Sequence, residues 1–91
     1  MKPVTLFKAL ADPTRIKILE HLLKKEEMTC QDLMKKFSLS QPTLSHHFNK
    51  LVNAGILHSK KDGVLWIYSV NKQFLEEIGL DIKKFISHTK K

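Results

Sequence analysis

Hydrophobic residues recur every three or four positions through the first half of the chain, which is the spacing of amphipathic helices. These positions are Val4, Phe7, Leu10 and Ala11 in a first segment, then Ile16, Leu19, Leu22 and Leu23 in a second. Asp12 and Pro13 separate the two segments, because proline disfavours helix in the residue before it and suits the first position of the next helix. The pattern therefore predicts two helices, with Asp12 as the N-cap of the second.

Capping residues predict a third and a fourth helix. Thr29 precedes the third helix and Asp32 follows three residues later, which approximates a capping box. The apolar side of this helix is expected to consist of Cys30, Leu33, Met34 and Phe37. Ser40 precedes the fourth helix, and Gly55 is a typical residue just past a helix end. A helix, a short turn and a second capped helix form the helix-turn-helix pattern.

The hydrophobic period changes from helical to extended after the fourth helix. Residues 56–61 and 64–70 predict two strands, and Asp62-Gly63 between them is a strong hairpin signal. We expect one face of the second strand to lie on the helices and Trp66 and Tyr68 to belong to the core. Stacking of these two rings on bases from an open sheet is the alternative interpretation.

The last part of the chain returns to helical spacing. Asn71 is predicted to cap a final helix, in which Gly79 introduces a kink or a restart. The predicted order is α-α-α-α-β-β-α, a mainly α fold with a β-hairpin wing. This is a winged helix-turn-helix, and we expect residues 1–91 to form one such domain with dimerising terminal helices.

The fourth helix has two chemically different faces. Its apolar stripe, made of Leu44, Phe48, Leu51 and Val52, is expected to pack on the preceding helices. The opposite face carries short polar side chains, which favour helix less than Glu and Lys do but can bind base edges and phosphates. We therefore predict DNA contact for Gln41, Thr43, Ser45, His46, Asn49 and Lys50.

The charge distribution supports a nucleic-acid partner. Sixteen Lys and Arg residues against nine Asp and Glu give a net charge of +7 in 91 residues. No acidic residue occurs between Leu33 and Lys61. A basic surface favours an acidic partner, either nucleic acid or an anionic membrane, and an ordinary solvated face is the alternative interpretation. Lys60 and Lys61 of the hairpin are expected to contact the DNA backbone or minor groove, although edge-strand lysines also block aggregation.

Several functional classes are excluded by composition. A single cysteine cannot form an intramolecular disulfide, and Lys8 and Asp12 interrupt the apolar residues that a signal peptide would need. No apolar run approaches the ~18–20 residues of a membrane span, so we expect a cytoplasmic protein without membrane insertion. No nucleophile–base pair, carboxylate dyad or phosphate-binding glycine loop is present, which predicts neither an enzyme nor a cofactor. A DNA-binding repressor and a protein-interaction module without DNA binding remain.

Three segments, ALADPTRIKILEHL (9–22), LSQPTLSHHFNKLVNAGIL (39–57) and DGVLWIYSVN (62–71), resemble the ArsR/SmtB family of bacterial winged-helix repressors. The resemblance covers nearly the whole chain and includes A-x-x-D-P-T-R and S-x-P-T-[VL]-S-H-H. It implies a homodimer that is paired through its first and last helices and represses transcription by binding an operator palindrome. It also implies DNA reading by Gln41, Thr43, Ser45 and His46, with Lys50 further along.

The chain departs from the metal-sensing members of that family. Those members carry a C-x-C-D-L run in the third helix, where residues 29–33 here read Thr-Cys-Gln-Asp-Leu and lack both thiols. Other sensors use an Asp-x-His pair in the last helix, whereas Asp81 is followed by Ile82 and Lys83. The chain is more similar to the short, metal-independent autorepressor branch, in which a partner protein or another signal relieves repression. The alternative is a metal- or thiol-responsive sensor.

For one cysteine and two histidines we prefer roles other than metal binding. Cys30 is expected to fill the core as a small apolar group. His46 and His47 point about 100° apart on a helix and chelate a metal poorly, so we predict no metal site there. His47 is instead expected to pack on the core or to contact phosphate.

The terminal helices carry more large apolar side chains than one small core needs, which favours burial in a dimer. The expected interface residues are Leu6, Phe74, Ile78, Ile82, Phe85 and Ile86.

Overall fold

A computed structural model describes residues 3–89 of the chain, and residues 1–2 and 90–91 of the predicted domain lie outside the described residues. Its helices are α1 Pro3–Leu10, α2 Pro13–Lys25, α3 Cys30–Met34, α4 Gln41–Asn53, α5 Lys72–Glu77 and α6 Ile82–Thr89. The strands are β1 Glu27–Thr29, β2 Leu57–Asp62 and β3 Leu65–Val70, which form an antiparallel sheet in the order β1-β3-β2. The helix-turn-helix with a hairpin wing is confirmed.

The junction between α1 and α2 is held by two side chains of the D-P-T-R segment. The Asp12 carboxylate accepts hydrogen bonds from the backbone N–H groups of Thr14 at 2.8 Å and Arg15 at 3.0 Å. The Arg15 guanidinium turns back to α1, where it donates to the carbonyl oxygens of Ala9 at 2.7 Å and Lys8 at 3.1 Å. Asp12 thus caps the start of α2, as predicted, and Arg15 caps the end of α1.

The predicted caps of the helix-turn-helix are confirmed. Thr29 and Asp32 form the capping box, with both side-chain bonds at 3.0 Å. Ser40 accepts from the N–H of Thr43 at the start of α4. Gly55, with φ 80°, ends α4 in a Schellman motif, in which the Ile56 N–H donates to the Leu51 carbonyl at 3.0 Å. Only the length of α3 differs, since it ends before Phe37.

Strand β1 was not predicted from the sequence. Glu27, Met28 and Thr29 pair with Ser69, Tyr68 and Ile67 of β3. The strand has three residues and only Met28 is buried, so it is too short for a two-residue period to be recognised. Glu26, with φ 67°, reverses the chain between α2 and this strand.

The hairpin turn lies one residue later than predicted. Asp62 pairs with Leu65, so the two-residue loop is Gly63-Val64 rather than Asp62-Gly63. Gly63 has φ 63° and Val64 does not share the positive φ, which is the pattern of a type II′ turn.

The prediction that Trp66 lies in the core is wrong, whereas the same prediction for Tyr68 is confirmed. Trp66 is 47% exposed and Tyr68 is buried. The reason is that only the second half of β3 lies on the helices, while its first half extends past them toward the turn. Alternation along the strand describes both halves equally and cannot show where the supporting helices end.

The final helical segment is two helices rather than one. Gly79, with φ 75°, ends α5 in a second Schellman motif, in which the Leu80 N–H donates to the Leu75 carbonyl at 2.9 Å. Asp81 then caps α6 by accepting from the N–H of Lys84 at 3.1 Å. Of the two outcomes expected at Gly79, the chain therefore adopts the restart. Among the described residues, no helix is long and apolar enough to cross a membrane.

The core is centred on α4. Leu44, Phe48 and Leu51 are fully buried, as predicted, and the Phe48 ring stacks on Tyr68 with centroids 4.0 Å apart. Ile82 and Ile86 of α6 also belong to this core, with exposures of 7% and 5%. Both were predicted at a dimer interface on the ground that one small core could not bury all the large apolar side chains of the terminal helices, but the protomer's own core buries these two.

Candidate nucleic-acid interface

The face of α4 opposite the buried stripe is accessible over its whole length. Ser45 is half-buried, and the other predicted DNA-binding residues of this helix are exposed, namely Gln41, Thr43, His46, Asn49 and Lys50. Rotation of α4 about its axis would expose Leu44 and Phe48 to water. Burial of an aromatic or leucine side chain stabilises by about 1.5–3 kcal/mol, so the core fixes which residues face outward.

The first turn of α4 provides hydrogen-bond donors for an anion. The Ser40 hydroxyl donates to the Thr43 hydroxyl oxygen at 2.9 Å, and the Thr43 hydroxyl keeps its own proton to donate. Gln41 is exposed beside it. Pro42 has no N–H and the Thr43 N–H already donates to Ser40, so the Gln41 amide and the Thr43 hydroxyl are the groups of this turn that can donate to a phosphate.

His46 and His47 have different surroundings although they are adjacent. Their ring centroids are 6.1 Å apart, with His46 exposed and His47 half-buried. His47 Nδ1 lies 3.3 Å from Arg15 Nη1, and since an arginine only donates, the neutral imidazole accepts here. The expectation that His47 packs inward is supported, and its contact is with α2.

The charges around His47 shift its titration. Burial is the main reason that the pKa of His47 lies below its ordinary value of 6.5, and the neighbouring Asp12 carboxylate opposes this effect. The positive charges of Arg15 and His46 lower the pKa further. His47 is therefore neutral at neutral pH, in the form that accepts from Arg15. This contact could not be predicted from the sequence, because the two residues lie 32 positions apart.

The two wing lysines are exposed on β2, but each already has a neighbour. Lys60 Nζ lies 3.6 Å from Glu27 Oε2, and Lys61 Nζ lies 6.0 Å from the centre of the Trp66 ring. Residues 33–61 contain no acidic residue in sequence, but in the folded chain the pairing of β1 with β3 places Glu27 beside this segment. Both groups of the ion pair are exposed, so it contributes little stability and a phosphate can displace Glu27.

The single cysteine is half-buried at the start of α3 and packs against the core. Burial raises the pKa of the Cys30 thiol, and a hydrogen bond with Ser45 opposes this only in part. Thr29 beside it is engaged in the capping box, and Gln31 is exposed. Within residues 3–89, no three His, Cys, Asp or Glu side chains come together as a metal site.

The predicted dimer residues fall into three groups. Ile82 and Ile86 are buried in the protomer, whereas Ile78 is exposed. Leu6, Phe74 and Phe85 are half-buried at the edge of the core. Sequence reasoning did not assign Val4 and Phe7 of α1 to this surface, although both are exposed.

Comparison with known proteins identifies relatives with a common role. Residues 12–59 match the family model described as bacterial regulatory protein, arsR family. The arsenical resistance operon repressor of Staphylococcus xylosus is 40% identical over 78 residues, which are 86% of this chain and 74% of that protein. The transcriptional repressor SdpR of Bacillus subtilis (strain 168) is 42% identical over 72 residues, 79% of each chain.

Solved structures share the fold. The transcriptional repressor PagR of Bacillus anthracis superposes with a TM-score of 0.70 at 30% sequence identity. The superposition covers 88% of this chain and 87% of PagR. These similarities concern transcriptional regulators, which are not enzymes.

Histidine 47 makes stability depend on pH in a defined window. Since its pKa is lower in the folded than in the unfolded chain, its neutral form stabilises the fold fully above pH 6.5. This stabilisation is lost as the pH falls below 6.5, because the unfolded chain then binds the proton more readily. We expect His47→Gln, which can still accept from Arg15, to remove this loss of stability below pH 6.5, as measured by urea unfolding across a pH series.

His88→Gln is the matched control, because it makes the same substitution at an exposed histidine of α6. Asp12 does not interfere in this window. Burial raises its pKa, but the N–H and charge of Arg15 lower it further, so Asp12 titrates below 3.8. Identical pH profiles for wild type and His47→Gln would show that folding does not lower the pKa of His47.

Proposed function

Because this chain belongs to the arsR family of bacterial regulatory proteins and is a DNA-binding transcriptional repressor, we propose that it acts as a homodimer on an inverted-repeat operator. The observation that carries the proposal is the exposed polar face of α4, fixed in orientation by the burial of Leu44, Phe48 and Leu51. We further propose that the protein represses its own gene and does not respond to metals. Its cytoplasmic location stays a prediction.

In this proposal α4 enters the major groove and reads bases with Ser45, His46 and Asn49. Amide, hydroxyl and imidazole groups supply the donors and acceptors that distinguish base pairs there. Gln41 and Thr43 at the helix N-terminus, with Lys50 further along, hold the flanking phosphates. The wing lysines Lys60 and Lys61 contact the backbone beside the adjacent minor groove.

A second copy of the chain would cover the apolar side chains that the protomer leaves accessible. Val4, Phe7 and Ile78 are exposed, and Leu6, Phe74 and Phe85 are only half-buried. A two-fold pairing through α1 and the α5–α6 segment buries these residues and presents two copies of α4 to one inverted repeat. Ile82 and Ile86 then support this interface from beneath.

The chemistry around α3 supports independence from metals. Thr29 and Gln31 supply no thiolate, and burial of Cys30 favours its neutral thiol, whereas metals bind the thiolate. We propose that an anti-repressor protein relieves repression instead. The competing proposal, a metal- or thiol-responsive sensor, rests on the 40% identity to the arsenical resistance operon repressor of Staphylococcus xylosus.

Base reading is tested by truncating two side chains of α4. We expect Ser45→Ala and His46→Ala each to weaken operator binding by about 1–3 kcal/mol, the scale of a lost base contact. Binding to random DNA should change little, as measured by fluorescence anisotropy. His88→Ala is the matched control, since His88 is exposed on α6. Equal losses on both DNAs would mean that these residues hold only the backbone.

The wing contact is tested through the dependence of affinity on salt. Lys60→Ala combined with Lys61→Ala should weaken binding to all sequences and lower the log–log salt slope by about 1–2. Glu27→Gln should tighten binding, because it releases Lys60 from its carboxylate. Lys83→Ala, an exposed lysine of α6, is the control. An unchanged slope in the double variant would place the wing away from DNA.

Metal independence is tested by adding Zn²⁺, Cd²⁺ or As(III) at low micromolar concentration to the operator complex. We expect the affinity to stay within about twofold, a coupling below ~0.5 kcal/mol. Cys30→Ser should keep operator binding intact, with a modest loss of stability. A tenfold loss of affinity on adding one of these metals, abolished by Cys30→Ser, would establish the competing sensor.

A further inference from the structure

The tip of the wing is apolar where a phosphate-binding element would be expected to be polar. Val64 is 91% exposed and Trp66 is 47% exposed, and Leu65 between them is also exposed. Three consecutive exposed apolar side chains are costly in water and indicate a contact surface. Neither the lysine contacts proposed above nor the core of the protomer gives these residues a role.

A shallow cleft separates this tip from the recognition helix. Its lining includes Gln41 and Ser45 of α4, Val64, Leu65 and Trp66 of the wing, and also Cys30 and Tyr68. The cleft has a volume of about 60 Å³, whereas sites for small molecules typically enclose about 300–1,000 Å³. The cleft is therefore too small to enclose a typical small effector.

The position of the cleft identifies the polymer that would cross it. If α4 lies in the major groove and the hairpin lies beside the adjacent minor groove, one sugar–phosphate strand separates these grooves. That strand must run through the gap between α4 and the wing. The charges agree, because Lys61 lies beside Trp66 and the cleft residues include no acid among those that the structure describes.

We propose that the cleft is a seat for the DNA backbone, in which the Trp66 indole packs against a deoxyribose and Lys61 binds a flanking phosphate. The inference rests on the DNA-binding mode proposed above and adds an apolar contact to it. Packing on a sugar releases no counterion and reads no base. Trp66 therefore contributes affinity that depends on neither salt nor sequence.

Trp66 is the only tryptophan of the chain, so intrinsic fluorescence reports on this site alone. On adding operator duplex to the full-length wild-type protein, we expect the indole emission to change and its quenching by acrylamide to fall. Random duplex, at a concentration that saturates the protein, should protect the indole from acrylamide to the same extent. Acrylamide quenching that is unaltered in a saturated operator complex would overturn the proposal.

Substitution separates the indole from its lysine neighbour. Trp66→Ala should lower affinity about tenfold on operator and random DNA alike, while leaving the salt slope unchanged. Lys61→Ala should instead lower the slope by about 1. Urea unfolding shows whether both variants fold. If Trp66→Ala does not fold, the fluorescence measurement on the wild-type protein still tests the proposal.

The outcomes distinguish the two proposals. Failure of the wild-type protein to bind any operator would remove the proposed function itself. Tight operator binding by wild type together with undiminished binding by Trp66→Ala would overturn only the backbone seat and leave the apolar tip to a protein partner.

Discussion

Phe48 lies flat on Tyr68, with ring centroids 4.0 Å apart, and this contact joins the recognition helix to the hairpin. Both rings belong to the buried core, so α4 can neither rotate nor slide along the sheet without opening a large cavity. The polar face of α4 and the exposed wing are consequently held at one relative position. The proposed recognition of DNA by two separate elements requires this rigidity, because major- and minor-groove contacts must form together.

Arg15 adds a second constraint at the other side of α4. Its guanidinium satisfies two carbonyl groups at the end of α1 and reaches the His47 imidazole. One side chain thus links α1, α2 and the recognition helix. In a dimer paired through α1, this link would connect the interface to the DNA-reading surface, which gives the D-P-T-R segment a structural explanation.

The parts of the fold that depend on local chemistry could be predicted from the sequence. Caps at Asp12, Thr29, Ser40 and Asn71 and the helix end at Gly55 follow from hydrogen bonds between near neighbours in the chain. The exposed face of α4 follows from its period, because one buried stripe determines the opposite side.

The remaining features depend on contacts between distant residues, for which composition and period contain no signal. Strand β1 exists because β3 offers it an edge, and this pairing brings Glu27 to Lys60. Trp66 is exposed because the helices end beneath β3, a boundary that alternation along the strand cannot indicate. The packing of α6 on the core is likewise a contact between distant residues. The sequence pattern therefore could not show that the protomer's own core buries Ile82 and Ile86, which were assigned to an interface.

The central claim is that a dimer of this chain recognises an inverted repeat, and footprinting of the DNA upstream of its own gene tests it most directly. The account predicts two protected half-sites related by two-fold symmetry, with centres about 10 base pairs apart or a multiple of that distance. Protection should persist in an excess of random DNA. A single protected site without symmetry, or protection that random DNA removes at equal concentration, would contradict the account.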